Sequence, residues 1–485
     1  LAPDPDHGIT LAPSVAPGLG EVGMMLPYTP LQHVLMAAVR GPLVMTSGNL
    51  SDEPIAMDNG EALRRLAPLA DGFLMNDRGI YSRYDDSVMR VVGEHVESVR
   101  RARGYAPFPL RLPESLTGGA DGSGMPQVLA AGPEQKNTFC LTSGKYAFVS
   151  QHIGELENAD ALEHYEATLA LYERLFRVEP RLVAYDLHPE YLSTKFALGL
   201  GLPSVGVQHH HAHIASVTAE HGVPDTVVGI AYDGTGYGED GTIWGGEVLL
   251  STWTGYTRFA HLRPVPMPGG AAAIRRPGRM ALGLLFGLDR GLLEHPGAHH
   301  LVGRLTTDEL TKLPMMVDQG INSPLTSSMG RLFDAVAALT GVRTDSLYEG
   351  QAAIELEALA DPCETGAYTF GLLDTTPLVI DPLPVVEGIL DDMARGEAVT
   401  AISAKFHRAV VDMTVEVALR AADAAGTRTV AAAGGVFMNR LVLAGVAQGI
   451  RDAGLTALSH RELPANDGGV SFGQAVVALA RSLTV

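Results

Sequence analysis

His209 and His213 are the residues of this chain whose type and spacing speak most directly of chemistry. They lie four apart in Val207-Gln-His-His-His-Ala-His-Ile214, which reads as a short strand over 204–208 running straight into a helix. Residues at i and i+4 share one helical face, so both imidazoles can address one metal ion, the pair geometry of many helical metal sites. Asp233 ends a buried-strand run and opens Asp-Gly-Thr-Gly-Tyr-Gly, while Asp467 stands in Asn466-Asp-Gly-Gly469 ahead of a helix over 470–483. Two carboxylates in glycine-rich turns can complete the set, and two nitrogens with two oxygens suit zinc or iron. Spacing alone does not bring the four together, and the alternative is a polar helix turn on the surface. His295, His299 and His300, with Pro296 and Gly297 among them, read as a solvated loop.

A second group of residues has the chemistry of phosphate binding. The turn expected at Asp233-Gly-Thr-Gly-Tyr-Gly can present backbone N–H groups to phosphates. Gly434-Gly435, between a strand and a helix, can admit a phosphate or purine close to the backbone near a positive helix end. Lys136 falls in a hairpin turn where an ammonium can meet phosphate. Nearer the start, Thr46-Ser-Gly-Asn49 offers hydroxyls and an amide after an expected strand. Arg83, Asp85, Asp86 and Ser87 precede another strand, and Arg101 and Arg103 follow. Arginines and hydroxyls of this kind suit an acyl adenylate or a phosphate. The plain alternative for each is turn chemistry and surface ion pairing. A Gly-x-Ser-x-Gly elbow and a Walker-type lysine loop are both missing, so the nucleophilic hydrolase and P-loop readings have no support.

The elements that must position these groups alternate between strand and helix. With 485 residues, 46% hydrophobic and 19% charged, the chain is ordinary globular protein of roughly three structural units. Pro107, Pro109 and Pro113, then Gly-Gly-Ala-Asp-Gly-Ser-Gly, divide about a hundred residues from a larger second part. In the first part, strands are expected at 42–46, 72–75 and 87–92, and helices over 30–39 and 60–67. In the second, 128–131 and 138–141 read as strands about a turn. Leu162, Tyr165, Leu169, Tyr172 and Phe176 mark an amphipathic helix over 159–176. Val227–Asp233 and Thr429–Ala433 read as buried strands, and Phe406, Val410, Met413 and Val417 as one face of a helix. The fold class is α/β.

Composition narrows the partners. The net charge is −20 with no long run of Lys or Arg, which weighs against nucleic acid as a partner. No apolar stretch is long enough to span a bilayer. The cysteines, Cys140 and Cys363, form no CxxC pattern, which points to a reducing, cytoplasmic setting. The chain opens on Leu1, in a stretch resembling neither a signal peptide nor a natural start, and reads as part of something longer.

Taken in order, a series of motifs resembles the HypF-type carbamoyltransferases of hydrogenase maturation. It runs through Ala16-Pro-Gly-Leu19, Met25-Leu-Pro-Tyr-Thr-Pro30, Met45-Thr-Ser-Gly-Asn49, Tyr84-Asp-Asp-Ser-Val88 and Arg101-Ala-Arg-Gly-Tyr-Ala-Pro107. It continues with Lys136-Asn-Thr-Phe-Cys140, Ser150-Gln-His152, Tyr185-Asp-Leu-His-Pro189, the histidine segment, Gly245-Gly-Glu247, Gly434-Gly-Val-Phe-Met-Asn439 and Asn466-Asp-Gly-Gly469. The resemblance covers essentially the whole chain. It implies the C-terminal part of a YrdC-like domain over 1–112, a linker over 113–126, and over 127–485 a two-lobed transferase domain of the actin/Hsp70-like ATPase superfamily. It implies ATP, Mg2+ and one transition metal, zinc or iron, as cofactors. The activity it implies is ATP-dependent activation of the carbamoyl group of carbamoyl phosphate as carbamoyl adenylate. Transfer to the C-terminal cysteine of the acceptor protein HypE would then feed synthesis of the cyanide ligand of [NiFe]-hydrogenase.

By the resemblance His209, His213, Asp233 and Asp467 are the metal ligands and the catalytic centre. Lys136, Gly434, Gly435 and Asn439 meet the nucleotide, and Thr46, Ser47, Asn49, Ser87 and Arg103 line the adenylation site. Related activities are threonylcarbamoyl transfer to tRNA and antibiotic O-carbamoylation; a third reading is a partner-binding fragment without catalysis. The family carries an acidic residue where Ala271 stands and an aromatic where Gly278 stands, so a packing gap is expected at Gly278. With part of the YrdC-like domain missing, the chain is expected to transfer a preformed carbamoyl adenylate better than it makes one.

Overall fold

A computed structural model describes residues 11–50, 53–93, 95–118, 122 and 124–483. The opening 1–7 stretch and most of the glycine-rich run after Gly118 lie outside them. The second part is built on two sheets. The first has six strands in the order Leu110–Arg111, Tyr146–Val149, Cys140–Ser143, Val128–Ala130, Leu182–Asp186 and Ser204–Val207. The second has nine strands, and its path runs Gly371–Leu373, Leu378–Asp381, Tyr256–Leu262, Ile243–Ser251, Val227–Tyr237, Thr429–Ala433 and Thr456–Leu458. Each sheet is covered by helices, so the central strands are apolar throughout, as strands buried on both faces must be.

Two helices lie between the sheets. His209–Glu220 presses Ile214 and Val217 onto Val227, Ala231, Leu249 and Ala431 of the nine-stranded sheet. Its other face, Ala212, Ala215 and Ala219, packs with Ala475 and Leu479 of Val470–Ser482, the last helix of the chain. That last helix in turn covers Val128, Ala130 and Ala184 of the six-stranded sheet. A helix touched on every side has no polar stripe, which is why the histidine helix shows little amphipathic pattern in sequence. The two helices approach closely because Gly473 has no side chain: a Cβ there would stand 1.8 Å from the carbonyl oxygen of Ala212. On the opposite face of the six-stranded sheet Asn158 caps the helix Ala159–Phe176, whose Tyr165, Leu169 and Tyr172 are buried as the sequence spacing predicts.

The first part differs from expectation. Helices form at Pro30–Val39, where Thr29 and Gln32 make a reciprocal capping box, and at Asn59–Leu66, capped by Asp58. Val88–Val92 pairs antiparallel with His95–Arg100. Residues 42–46 and 72–75, expected as strands, are extended but pair with nothing among the described residues. A β-propensity run becomes a strand only where a neighbouring ladder takes its N–H and C=O groups. Neither helix buries a residue, and Met24, Leu26, Val34, Val44 and Leu74 stay exposed.

The expected linker carries structure of its own, and the reading of Gly278 is revised. Leu110–Arg111 adds a strand to the six-stranded sheet, Glu114–Thr117 is helical, and Leu112 and Leu116 are buried in the core beneath the last helix. A proline- and glycine-rich composition therefore conceals two core leucines. At Gly278 there is no gap. A Cβ there would already lie 3.2 Å from Leu305 and 3.6 Å from Thr344, whose carbonyl accepts the Gly278 N–H. The neighbours have closed on the glycine. Ala271 is exposed at the start of a short helix, Ala271–Arg275. Among the described residues no helix is long and apolar enough to cross a membrane.

Candidate metal centre

The two sheets and the helix pair bring His209, His213, Asp233 and Asp467 together: one ligand atom from each lies within 4.8 Å of all the others, and all four are buried. His209 opens the histidine helix, where Gln208 caps it by accepting the His211 N–H. His213 follows one turn later. Asp467 begins a short 3-10 turn, Asp467–Gly469, that leads into the last helix, and Asn466 caps that turn. Thr138 anchors it from the hairpin side by donating to the Gly468 carbonyl at 3.1 Å.

Asp233 is placed differently from the sequence reading. It stands inside a strand, Val227–Tyr237, that runs on through the glycines, so the expected phosphate-cradling turn is absent there. The glycines serve side chains instead. A Cβ on Gly236 would stand 2.4 Å from the His210 ring.

The geometry fits a cation. His209 Nε2 lies 3.2 Å from Asp233 Oδ2 and 3.6 Å from Asp467 Oδ1; His213 Nε2 lies 3.6 Å from each of the same oxygens. Tetrahedral zinc with bonds of about 2.1 Å needs ligand atoms about 3.4 Å apart. At 3.6 Å the contacts of His213 Nε2 are too long for hydrogen bonds, and neither of its ring nitrogens has a hydrogen-bond partner. Buried polar groups are seldom left so, and two buried carboxylates at one point call for positive charge. Burial by itself would push both histidines down. The neighbouring carboxylates outweigh it and hold His209 well above its ordinary value and His213 above it. Burial would raise Asp233, but the two histidines hold it well below the usual carboxylate range. A divalent ion would take the place of those protons. His210 and His211 point elsewhere: His211 Nε2 meets the Thr252 carbonyl at 2.7 Å, and burial pushes it down to about 4.

Sequence reasoning missed the residue that aims His209. Asp186, fully buried at the end of the strand Leu182–Asp186, accepts from His209 Nδ1 at 2.8 Å. That bond fixes the ring tautomer with Nε2 toward the centre, the usual carboxylate–histidine arrangement behind a metal ligand. The signal that singled out Asp233, a buried-strand run ending in Asp, was present here too. Replacing Asp186 with Asn is expected to weaken zinc binding by about 10- to 100-fold with the fold retained, as measured by competition with a chelating dye. Unchanged affinity would make Asp186 a packing residue.

The residues expected to meet a nucleotide fall into three places. Gly434, at φ 105°, packs on Tyr232, whose carbonyl oxygen a Cβ would meet at 2.2 Å. Gly435 N–H donates to Asp233 Oδ1 at 2.9 Å, which leaves Oδ2 for the centre. Asn439 caps the helix Arg440–Asp452 and bonds His407 Nε2 at 2.9 Å. Lys136, at φ 43° in its turn, reaches across to Glu349, ahead of the helix Gln351–Leu359, and feels the charge of Asp467. The pair joins residues hung from the two different sheets.

In the first part, Ser87 accepts from Ala102 N and donates to the Arg103 carbonyl, and Arg103 bonds Asp86 at 3.0 Å beneath the Tyr28 ring. Asn49 folds back on the Leu50 and Glu53 carbonyls, and Thr46 and Ser47 are exposed. Among the described residues no hydrogen bond joins these to the buried quartet. The His295, His299 and His300 group forms no metal cluster among the described residues, and His299 and His300 are exposed.

A carboxyl beside the hairpin yields a pH prediction. Burial pushes Glu134 up to about 7, against the pull of the Leu192 N–H it accepts. The folded state therefore holds a proton that the unfolded chain has released above about pH 4.5. That stabilisation is lost as pH rises from about 4.5 through 7. Glu134→Gln is expected to shrink the difference in melting temperature between pH 5 and pH 8. An unchanged difference would mean the carboxyl stays ionised.

Two sheets around a helix pair hold the buried His–His–Asp–Asp group, after a first part of two helices and one strand pair, and sequence comparison gives the class. The profile described as "Carbamoyltransferase, Kae1-like Domain, second subdomain" matches residues 229–474, that of the HypF Kae1-like domain 123–220, and the Sua5/YciO/YrdC profile, described as telomere recombination, 4–102. The chain belongs to the HypF carbamoyltransferase family. It is 40% identical over 519 residues to carbamoyltransferase HypF2 of Cupriavidus necator, covering 96% of this chain and 62% of that protein. It is 38% identical to a HypF homolog of the same organism, with 74% and 92% covered. A crystal structure of full-length HypF in a phosphate- and nucleotide-bound form superposes with a TM-score of 0.91 at 44% identity, over 98% of this chain and 61% of that one. The HypF of T. kodakarensis gives 0.87 at 31%, over 99% and 62%. The chain thus spans less than two thirds of the length of HypF2 and of both crystallised HypF chains.

Proposed function

We propose that this chain transfers the carbamoyl group of carbamoyl adenylate to the C-terminal cysteine of HypE, as a step in making the cyanide ligand of [NiFe]-hydrogenase. The observation that carries the reading is the buried quartet His209, His213, Asp233 and Asp467, with a ligand atom of each converging on one point. Zinc or iron held there would polarise the carbamoyl oxygen as a Lewis acid. His209 is aimed by Asp186, and Asp233 by the Gly435 N–H. Asp467 is set by a turn that Thr138 and Asn466 tie down.

In the transfer, the acceptor thiolate adds to the carbamoyl carbon and the bond from that carbon to the phosphate oxygen breaks. AMP departs with the electron pair, and the thiol proton goes to solvent. ATP and Mg2+, with carbamoyl phosphate, would serve the earlier adenylation, which we assign to the part over 1–112 with Thr46, Ser47, Asn49, Ser87 and Arg103. We assign 113–126 as the connection and 127–485 as the transferase.

The test supplies metal-loaded protein with preformed carbamoyl adenylate and offers HypE and tRNA separately. A thiocarboxamide on the HypE terminal cysteine, found by mass spectrometry, is the expected result. Carbamoylated tRNA with unmodified HypE would replace this reading with transfer to a nucleic-acid acceptor, which the acidic charge of −20 disfavours.

A further inference from the structure

The centre leaves one buried cation unused. Arg331 is 5% exposed, on the first turn of the helix Met329–Leu339. Its Nη2 meets Asp334 Oδ2 at 2.9 Å, while Nε and Nη1 are enclosed with no hydrogen-bond partner. A guanidinium is a fork of donors suited to two oxygens at once, and here most of the fork is idle.

The position of Arg331 is fixed by the centre itself. Ser328 caps the helix by accepting the Arg331 N–H at 3.1 Å, and its hydroxyl lies 2.7 Å from the carbonyl oxygens of both Asp233 and Gly234. Gly330 brings the helix start against the same backbone: a Cβ there would stand 2.9 Å from Gly234 Cα. Arg331 Nη2 lies 3.6 Å from where a Cβ of Gly234 would be. An eleven-residue helix therefore points its positive end, with a buried guanidinium beside it, at the residue next to a metal-type carboxylate. The other cation at the centre, Lys136, belongs to the six-stranded side and is held by Glu349.

We propose that Arg331, with the first turn of its helix, binds the phosphate group of the adenylate. Arg331 would present Nε and Nη1 to two phosphate oxygens while Nη2 keeps Asp334. The adenylate phosphate would so be held on the Asp233 side, with the acyl group left facing the quartet. This rests on the reading that the site takes an adenylate.

A competing account is that Arg331 only neutralises Asp334, a carboxyl that burial pushes up to about 6. The two accounts separate in the double variant Arg331→Gln/Asp334→Asn, which leaves a neutral pair in place of the ionic one and so removes the charge imbalance that the single change would create. Calorimetric titration of zinc-loaded protein with AMP and with adenosine is the measurement.

The expected result is a loss of about 10- to 100-fold on AMP, as for charge-assisted hydrogen bonds, with adenosine binding unchanged. Inorganic phosphate should compete with AMP in the parent and not in the variant. Equal losses on AMP and adenosine, or no loss on either, would overturn the assignment and leave the adenylate reading standing. A parent protein that binds neither ligand would overturn both.

Discussion

Alanine at His213 or Asp467 is expected to leave the protein without stoichiometric zinc or iron after dialysis. Each residue supplies one of four converging atoms, so its loss opens the coordination shell and strands a buried partner. Altering a group behind a ligand already costs about 10- to 100-fold in affinity; removing a ligand costs more. The Asp467 variant carries a second consequence. Asp233, Asp467 and the two histidines set one another's charge, so with Asp467 gone the histidines share only Asp233, with Asp186 behind His209. Carbamoyl transfer should fall with metal content in both variants, and in Asp233→Ala as well, while far-UV circular dichroism stays that of the parent. Equal metal in variant and parent, by elemental analysis, would remove these residues from the ligand set.

Gly473→Ala is expected to be among the most damaging single methyl additions in the molecule. The new Cβ would fall 1.8 Å from the Ala212 carbonyl oxygen, a backbone atom that no rotamer change can move. The last helix must then withdraw from the histidine helix. Overpacking of a tight core costs about 1–3 kcal/mol and occasionally more, and this contact belongs at the upper end. The damage reaches the centre because His213 lies one residue from Ala212 and Asp467 sits in the turn feeding the last helix. A lowered melting temperature together with weakened zinc binding is the expected pair of results. A parent-like melting temperature would show that the helices can part cheaply.

What could be read from the sequence follows a physical line. The strand-to-helix passage at 204–214 and the glycine-rich turn holding Asp467 were legible because their signals are local: a short apolar run, an i,i+4 histidine pair, a glycine pair ahead of a helix. The α/β class and the HypF resemblance were legible for the same reason, summed over many motifs. Asp233 was misread as a turn residue because its glycines look like turn chemistry. Their actual work is to let His210 and Trp244 lie against the strand, and such contacts come from residues distant in the chain or across a hairpin. The strands expected at 42–46 and 72–75 failed because pairing is not a property of a segment by itself. Leu112 and Leu116 were hidden by the prolines and glycines around them, and Arg331 by a stretch whose sequence reads as plain helix.

The quartet is drawn from separate supports. Asp233 belongs to the nine-stranded sheet, Asp186 behind His209 to the six-stranded sheet, and the remaining ligands to the helix pair between. An ion bound only by the folded arrangement would therefore act as a thermodynamic weld. Its free concentration enters the stability of both lobes at once, adding about 2.7 kcal/mol when it stands a hundredfold above its dissociation constant. Heated with excess chelator, the two lobes are free to melt separately; heated with metal, they should melt as one, at a temperature that climbs with the logarithm of the ion's concentration. The calorimetric trace of this protein would then serve as a gauge of how much metal its surroundings supply.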